Sequence, residues 1–184
     1  MKVYVDTGTL IDYLAQAAPA ASILRSAHRR GRSPFKLFED AREVLTLLAT
    51  SHEGATSALT FYEVDEALYK QLVASTRGTP HANSVRVTAA RPIISQALVS
   101  AKLFGLEILD LGERTVDTLA SDETLAKRAV RAADGLHMVR AMHFDADLVL
   151  ATDANLLALD GVLTNPRNEQ IRCCDTDTAL TLLR

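Results

Sequence analysis

The chain has 184 residues, 48% hydrophobic and 23% charged, a balance that suits one domain with a buried core and excludes a disordered chain. Its 20 basic residues against 23 acidic ones leave a formal net charge of −3, which excludes a protein that coats nucleic acid by bulk positive charge. No apolar run approaches the ~20 residues of a membrane span. Asp6 sits where a leader sequence would be apolar, and the adjacent Cys173 and Cys174 suit neither an ordinary disulfide nor a CxxC metal site. These features predict a reduced, cytosolic protein with no membrane contact.

Short apolar runs alternate with helical patterns, which predicts an α/β fold around a mostly parallel sheet. Val3, Tyr4 and Val5 form the first strand, ending at Asp6, and Leu10, Ile11 and Leu14 mark a helix that starts at Thr7. Residues 16–34 read as irregular and hold the densest positive charge: Arg25, His28, Arg29, Arg30 and Arg32. Ala41, Val44, Leu45 and Leu48 give a helix over 39–50. Residues 57–60 read as a short strand that leads into a helix over 61–73. A second irregular stretch, 75–91, carries Arg77, His81, Arg86 and Arg91, and Pro92 then suits the start of a helix striped by Ile94, Ala97, Leu98 and Ala101. Residues 106–111 read as a strand between Gly105 and Gly112, 113–132 as helical, and 134–143 as a further helix. The clearest strand is 147–152, ending at Asp153; the last is 171–174, with one cysteine facing in and the other out. No linker is long enough to divide the chain, so 1–184 is read as a single domain in which 16–34 and 75–91 are insertions or extended loops.

In an open parallel sheet, ligands bind beyond the carboxyl ends of the strands. Asp6 and Asp153 fall at two such ends, Asp134 falls at a helix start, and Glu63 falls in the first turn of the helix after 57–60. Each acid also suits a plainer role. Asp6, Asp134 and Asp153 precede helical segments, where Asp caps well, and Glu63 suits a helix's first turn, as Asp65 or Glu66 would. Their shared position at one rim is what points to a site. Two carboxylates ~4 Å apart repel by about 4 kcal/mol at an effective dielectric near 20. Mg²⁺ or Mn²⁺, hard cations that prefer oxygen ligands, would remove that cost. Such an ion activates water and neutralises charge developing on a phosphodiester, so the acids point to metal-dependent phosphoryl transfer.

Four stretches resemble the motifs of the PIN-domain family, metal-dependent nucleases that include the VapC toxins of toxin–antitoxin pairs. They are the opening strand and helix with Asp6, the run Thr60-Phe61-Tyr62-Glu63, the run Ala132-Ala133-Asp134-Gly135, and the run Leu150-Ala151-Thr152-Asp153. The resemblance implies a three-layer α/β/α PIN-like domain and an Mg²⁺ or Mn²⁺ site. It implies an endoribonuclease in which Asp6, Glu63 and Asp134 hold the metal and Asp153 completes the site or positions a second ion. For the toxin branch it further implies a homodimer and an antitoxin that blocks the site. The sequence departs from the family pattern at Gly8, where Ser or Asn is frequent, at Ala151, where Thr or Ser is usual, and at Asn155, where a further Asp is common.

Arg25, Arg29, Arg30 and Arg32 suit a grip on RNA phosphates, with Thr7 and Asn155 beside the acids as further substrate contacts. His137, one turn beyond Asp134, is within reach of a substrate or an outer-shell water, but a helical histidine reads more simply as packed against the core. Two other functions compete. A non-catalytic PIN-like module that binds RNA or protein is compatible with Ala151 and Asn155. A haloacid-dehalogenase-like phosphatase is suggested by Asp6-Thr7-Gly8-Thr9-Leu10, although Gly8 stands where that family needs a second Asp. Neither GxxxxGK[ST] nor GxGxxG is present.

Overall fold

Val3, Tyr4 and Val5 are all fully buried although their side chains alternate between the two faces of a strand. Both faces must therefore be covered, the condition of a central strand in a parallel sheet. That strand is β1 (Lys2–Val5), paired in parallel with β2 (Glu53–Ser57) on one side and β4 (Leu148–Leu150) on the other. Beyond β2 lies β3 (Glu107–Leu109), and beyond β4 lies β5 (Arg172–Cys174), both again parallel. The computed structural model describes residues 1–17, 21–24 and 28–184, and its five strands run in the order β3-β2-β1-β4-β5. The chain builds outward from β1 through β2 to β3, then crosses to the other side of β1 for β4 and β5. The order reverses between β1 and β4, and the crevice at their carboxyl ends is where such sheets take ligands.

The first helix, α1 (Thr7–Ala17), follows β1 as the sequence pattern requires. Helix α2 (Pro34–Ser51) starts earlier than the apolar stripe suggests, because Ser33 caps it, its side chain accepting from Lys36 N–H at 3.2 Å, and Pro34 is preset for a first turn. The strand expected at 57–60 lies instead at Glu53–Ser57, and Ala58 already opens α3 (Ala58–Ser75). Residues 82–91, expected to be irregular, form the start of α4 (Ala82–Leu103); Pro92 lies inside this helix with its side chain exposed. The helical stretch after β3 is broken into α5 (Glu113–Ser121) and α6 (Glu123–Lys127) by Asp122, which accepts from Leu125 N–H at 2.8 Å. Three more helices follow: α7 (Ala132–His143), α8 (Ala154–Leu157) and α9 (Thr176–Leu183), the last two capped by Asp153 and Asp175.

The helices cover both faces of the sheet and make three layers. On one face Val3, Val5, Leu148, Leu150 and Cys174 pack against Leu45 and Leu48 of α2 and Leu180 of α9. On the other, Tyr4, Val149 and Cys173 pack against Met138 and Val139 of α7. Each fully buried leucine in these layers contributes about 2 kcal/mol of hydrophobic stabilisation. Cys173 and Cys174 do alternate between faces, but both faces are interior, so both thiols are buried and their pKa values are pushed up to about 12. A third cluster joins α1, α3 and α4 through Leu14, Val64, Leu68, Ile93 and Ala97. Among the described residues no helix is long and apolar enough to cross a membrane.

Candidate metal and nucleic-acid site

Asp6 follows the last residue of β1, and its N–H donates to the Leu150 carbonyl at 3.0 Å, which pins it at the switch point between β1 and β4. Glu63 reaches the same place from α3 and His137 from α7. Among the described residues these three side chains converge, each offering a ligand atom within 4.8 Å of the others. His137 Nε2 stands 2.9 Å from Glu63 Oε2 and 3.5 Å from Asp6 Oδ1. An ionised carboxylate only accepts, so Nε2 carries the proton that Glu63 receives. In the neutral ring Nδ1 is then the acceptor, and Tyr4, on β1 beneath it, donates its hydroxyl at 2.8 Å. Thr7 Oγ1 donates to the same Glu63 oxygen from the first turn of α1. The Glu63 carboxylate is thus oriented by three elements at once.

The charges of this cluster strain against one another. Burial, and then the Glu63 charge, raise the Asp6 pKa above its ordinary 3.8 although His137 pulls it down. Glu63 is partly buried, which alone would raise its pKa, yet the His137 and Thr7 hydrogen bonds hold it below the usual carboxylate range. His137 is 1% exposed, a burial that disfavours its cation, but Glu63 and Asp6 together raise its pKa. Asp134, at the start of α7, is raised by burial and then by the charges of Asp153 and Asp6.

All four acids singled out in the sequence line one cleft of about 560 Å³. Asp134 and Asp153 lie on its wall, outside the tight Asp6–Glu63–His137 group. Asp153 also keeps its capping role, accepting from Asn155 N–H at 2.7 Å. Tyr62 and Lys70 of α3 extend the opposite wall outward. Oxygen donors at this density suit a hard divalent cation. The raised pKa values of Asp6 and Asp134, which follow partly from neighbouring negative charge, are what such an ion would relieve.

Gly8 is set by space. A Cβ built on it would lie 1.8 Å from Thr152 Oγ1, so the side chain one residue before Asp153 fills the volume over the first turn of α1.

Of the arginines expected to hold RNA, Arg29 and Arg32 pair with buried carboxylates. Arg29 donates to Asp12 at 2.6 Å and to Asp175 at 2.8 Å, and Arg32 to Asp40 at 2.9 Å and also to Asp175. These carboxylates are buried, so the two arginines tie 28–33 to α1, α2 and α9. Arg30 makes a looser, exposed pair with Asp177 at 3.4 Å. None of the three lines the cleft, nor does Asn155, whereas Thr7 does; Arg25 lies outside the described residues.

No protein-family model matches the sequence, and no curated protein matches it. Among solved structures the chain is similar to VapBC2 from Rickettsia felis, crystallised with a DNA fragment from their promoter. The TM-score is 0.51 at 14% identity, covering 95% of this chain and 100% of that one. At that identity the likeness concerns the fold. The all-parallel five-stranded sheet between helical layers, with acids gathered at its switch point, is a PIN-like fold.

Proposed function

We propose that the chain, 1–184, is one PIN-like domain acting as a metal-dependent endoribonuclease, with Mg²⁺ or Mn²⁺ held among Asp6, Glu63, Asp134 and Asp153. The observation that carries this reading is the convergence of these acids, from four separate parts of the chain, on one cleft at the β1/β4 switch point. A bound divalent ion supplies activation of water and neutralisation of charge on the scissile phosphodiester. The chain's own residues do the rest. Thr7 and His137 fix the direction of the Glu63 carboxylate. Below its raised pKa His137 also carries a positive charge that offsets Asp6 and Glu63 when no cation is present. Asp134, half-buried at the start of α7 and facing the charges of Asp153 and Asp6, would add a further carboxylate to the ion's surroundings. The likeness to VapBC2 supports placing the chain with the toxins of toxin–antitoxin pairs, hence a cytoplasmic homodimer with an antitoxin partner.

The test is cleavage of a mixed single-stranded RNA panel with Mn²⁺, Mg²⁺ or EDTA. Wild type should cut only with metal. Asp6→Asn should abolish cutting, and His137→Ala should lower it about 10–100-fold through loss of the Glu63 anchor. Cutting in EDTA, or undiminished cutting by Asp6→Asn, would overturn the assignment.

A further inference from the structure

The cleft presents a difficulty for an RNA substrate, because it is walled by carboxylates and the chain as a whole is acidic, with a net charge of −3. Attraction for the phosphate backbone must come from beside it. Arg29 and Arg32 do not supply that attraction, since buried aspartates neutralise them. Residues 67–106 hold five of the chain's 20 basic side chains and none of its 23 acidic ones. This stretch is the outer part of α3, the turn after it, and all of α4.

The geometry points to the α3–α4 hairpin as a phosphate-backbone track that leads single-stranded RNA into the acid cleft, an inference that rests on the nuclease reading above. Lys70 lines the cleft itself, two helical turns and about 10 Å along α3 from Glu63. Arg77 follows in the exposed turn, and Arg86 and Arg91 continue along α4. Among the described residues Arg77, Arg86 and Arg91 form no ion pair with any carboxylate within 4.0 Å, so their charge is available. Arg86 is held by neutral partners: Nε donates to Thr76 Oγ1 at 2.8 Å, Nη1 to Asn83 Oδ1 at 3.0 Å, and the guanidinium stacks over Tyr69. Its direction is fixed with no loss of charge. Arg91 shares a shallow hollow on α4 with Asn83, Ser84 and Thr88, Val87 being its apolar member. Hydroxyl, amide and guanidinium groups are what phosphate and sugar oxygens accept from. The hairpin also exposes Val73, Val85, Val87, Val99 and Leu103, so it is the unpaired positive charge and the polar hollow, not a want of apolar surface, that favour RNA. Tyr62, 62% exposed on the cleft wall, offers a ring face to a base near the acids.

The experiment is anisotropy titration of a labelled single-stranded RNA in EDTA, at a series of salt concentrations, beside Mn²⁺-dependent cleavage of the same RNA. The variant Arg77→Gln/Arg86→Gln/Arg91→Gln should bind at least tenfold more weakly. The slope of log K against log[salt] should become shallower by about 2, at ~0.7 for each phosphate no longer neutralised. The corresponding triple Lys variant should recover most of the affinity, which a merely structural role for the guanidiniums would not allow. Lys127→Gln, a single-charge loss on α6, should bind as wild type does, whereas each single Arg→Gln change on the hairpin should weaken binding. Unchanged affinity and slope in the Gln variant, or no measurable RNA binding by wild type, overturns the track; that is also the result expected if the hairpin serves an acidic protein. Wild-type cutting with unchanged binding in the Gln variant removes the track and leaves the nuclease. Arginine-dependent binding without any cutting removes the nuclease and leaves the track.

Discussion

Gly8 and Thr152 show how a single missing methyl shapes the rim of the site. A Cβ at position 8 would lie 1.8 Å from the Thr152 hydroxyl and 2.8 Å from its Cβ, so Gly8→Ala forces the Asp153 turn or the start of α1 to shift. Overpacking of that kind costs roughly 1–3 kcal/mol, although alanine itself favours a helix. In a Thr152→Gly background the same substitution should cost little or be stabilising. A double-mutant cycle read by chemical denaturation should therefore give a coupling of at least about 1 kcal/mol. Additive effects would contradict this steric role for Gly8. The sequence marks position 8 as a departure from the family pattern but does not show that it meets Thr152. His137 is a similar case: its position one turn after Asp134 puts it on the same helix face. Its partner hydroxyl, Tyr4, lies 133 residues away, and that pairing turns an apparent core histidine into the anchor of Glu63.

At the scale of elements, the segment before α2 is fastened by charge. Asp175 is fully buried, caps α9, and receives both Arg29 and Arg32, which hold its pKa low against the effect of burial. Removing one partner of a buried pair leaves the other uncompensated. Asp175→Ala should thus destabilise the fold by about 3 kcal/mol, whereas Arg30→Ala, whose pair with Asp177 is exposed, should cost less than about 1 kcal/mol. Equal effects in chemical denaturation would show that the network does not fasten the segment. Elements with apolar stripes or runs are legible in the sequence: β1, α1, β3, α7, β4 and β5, and the bodies of α2 and α3 though not their first turns. Strand β2 was displaced because Gly54, Ala55 and Thr56 are buried without being strongly apolar. The first part of α4 is not legible because its residues are largely polar and Pro92 suggests a boundary where the helix in fact continues. The pairing of Arg29 and Arg32 is not legible in the sequence because their partners, Asp12, Asp40 and Asp175, are scattered along the chain. The four acids were legible because strand ends and helix starts can be read locally.

For the whole molecule, the clustered acids make stability a function of pH and, on the proposed reading, of metal. Asp6, Asp134 and His137 all have folded pKa values above their unfolded ones. A raised pKa gives stability that is complete below the unfolded value and is lost as pH rises through the folded value. Glu63 and Asp175 are shifted down and act with the opposite sign, losing their contribution only as pH falls below the carboxylate range. His143 is lowered by burial and by Arg114 and Arg140, so its contribution rises with pH around its ordinary 6.5 and opposes that of His137 there. In EDTA the denaturation midpoint should therefore fall as pH rises well above the ordinary histidine value of about 6.5, as His137 gives up the proton that Glu63 and Asp6 favour. Saturating Mn²⁺ should reduce the fall, because the ion replaces the lost positive charge and binds the folded state alone. A midpoint that is flat or rising over this range in EDTA would contradict the electrostatic picture of the cleft.

Divalent-cation binding at the β1/β4 switch point, as proposed, can be measured without any nucleic acid. Calorimetric titration of Mn²⁺ into wild type, Asp6→Asn and Glu63→Gln at pH 7.5, repeated at pH 5.5, tests it most directly. Wild type should bind saturably at pH 7.5. Binding should weaken at least tenfold in each variant, and should weaken at pH 5.5, where protons compete for Asp6 and Asp134. No saturable binding by wild type, or equal binding by both variants, would contradict it.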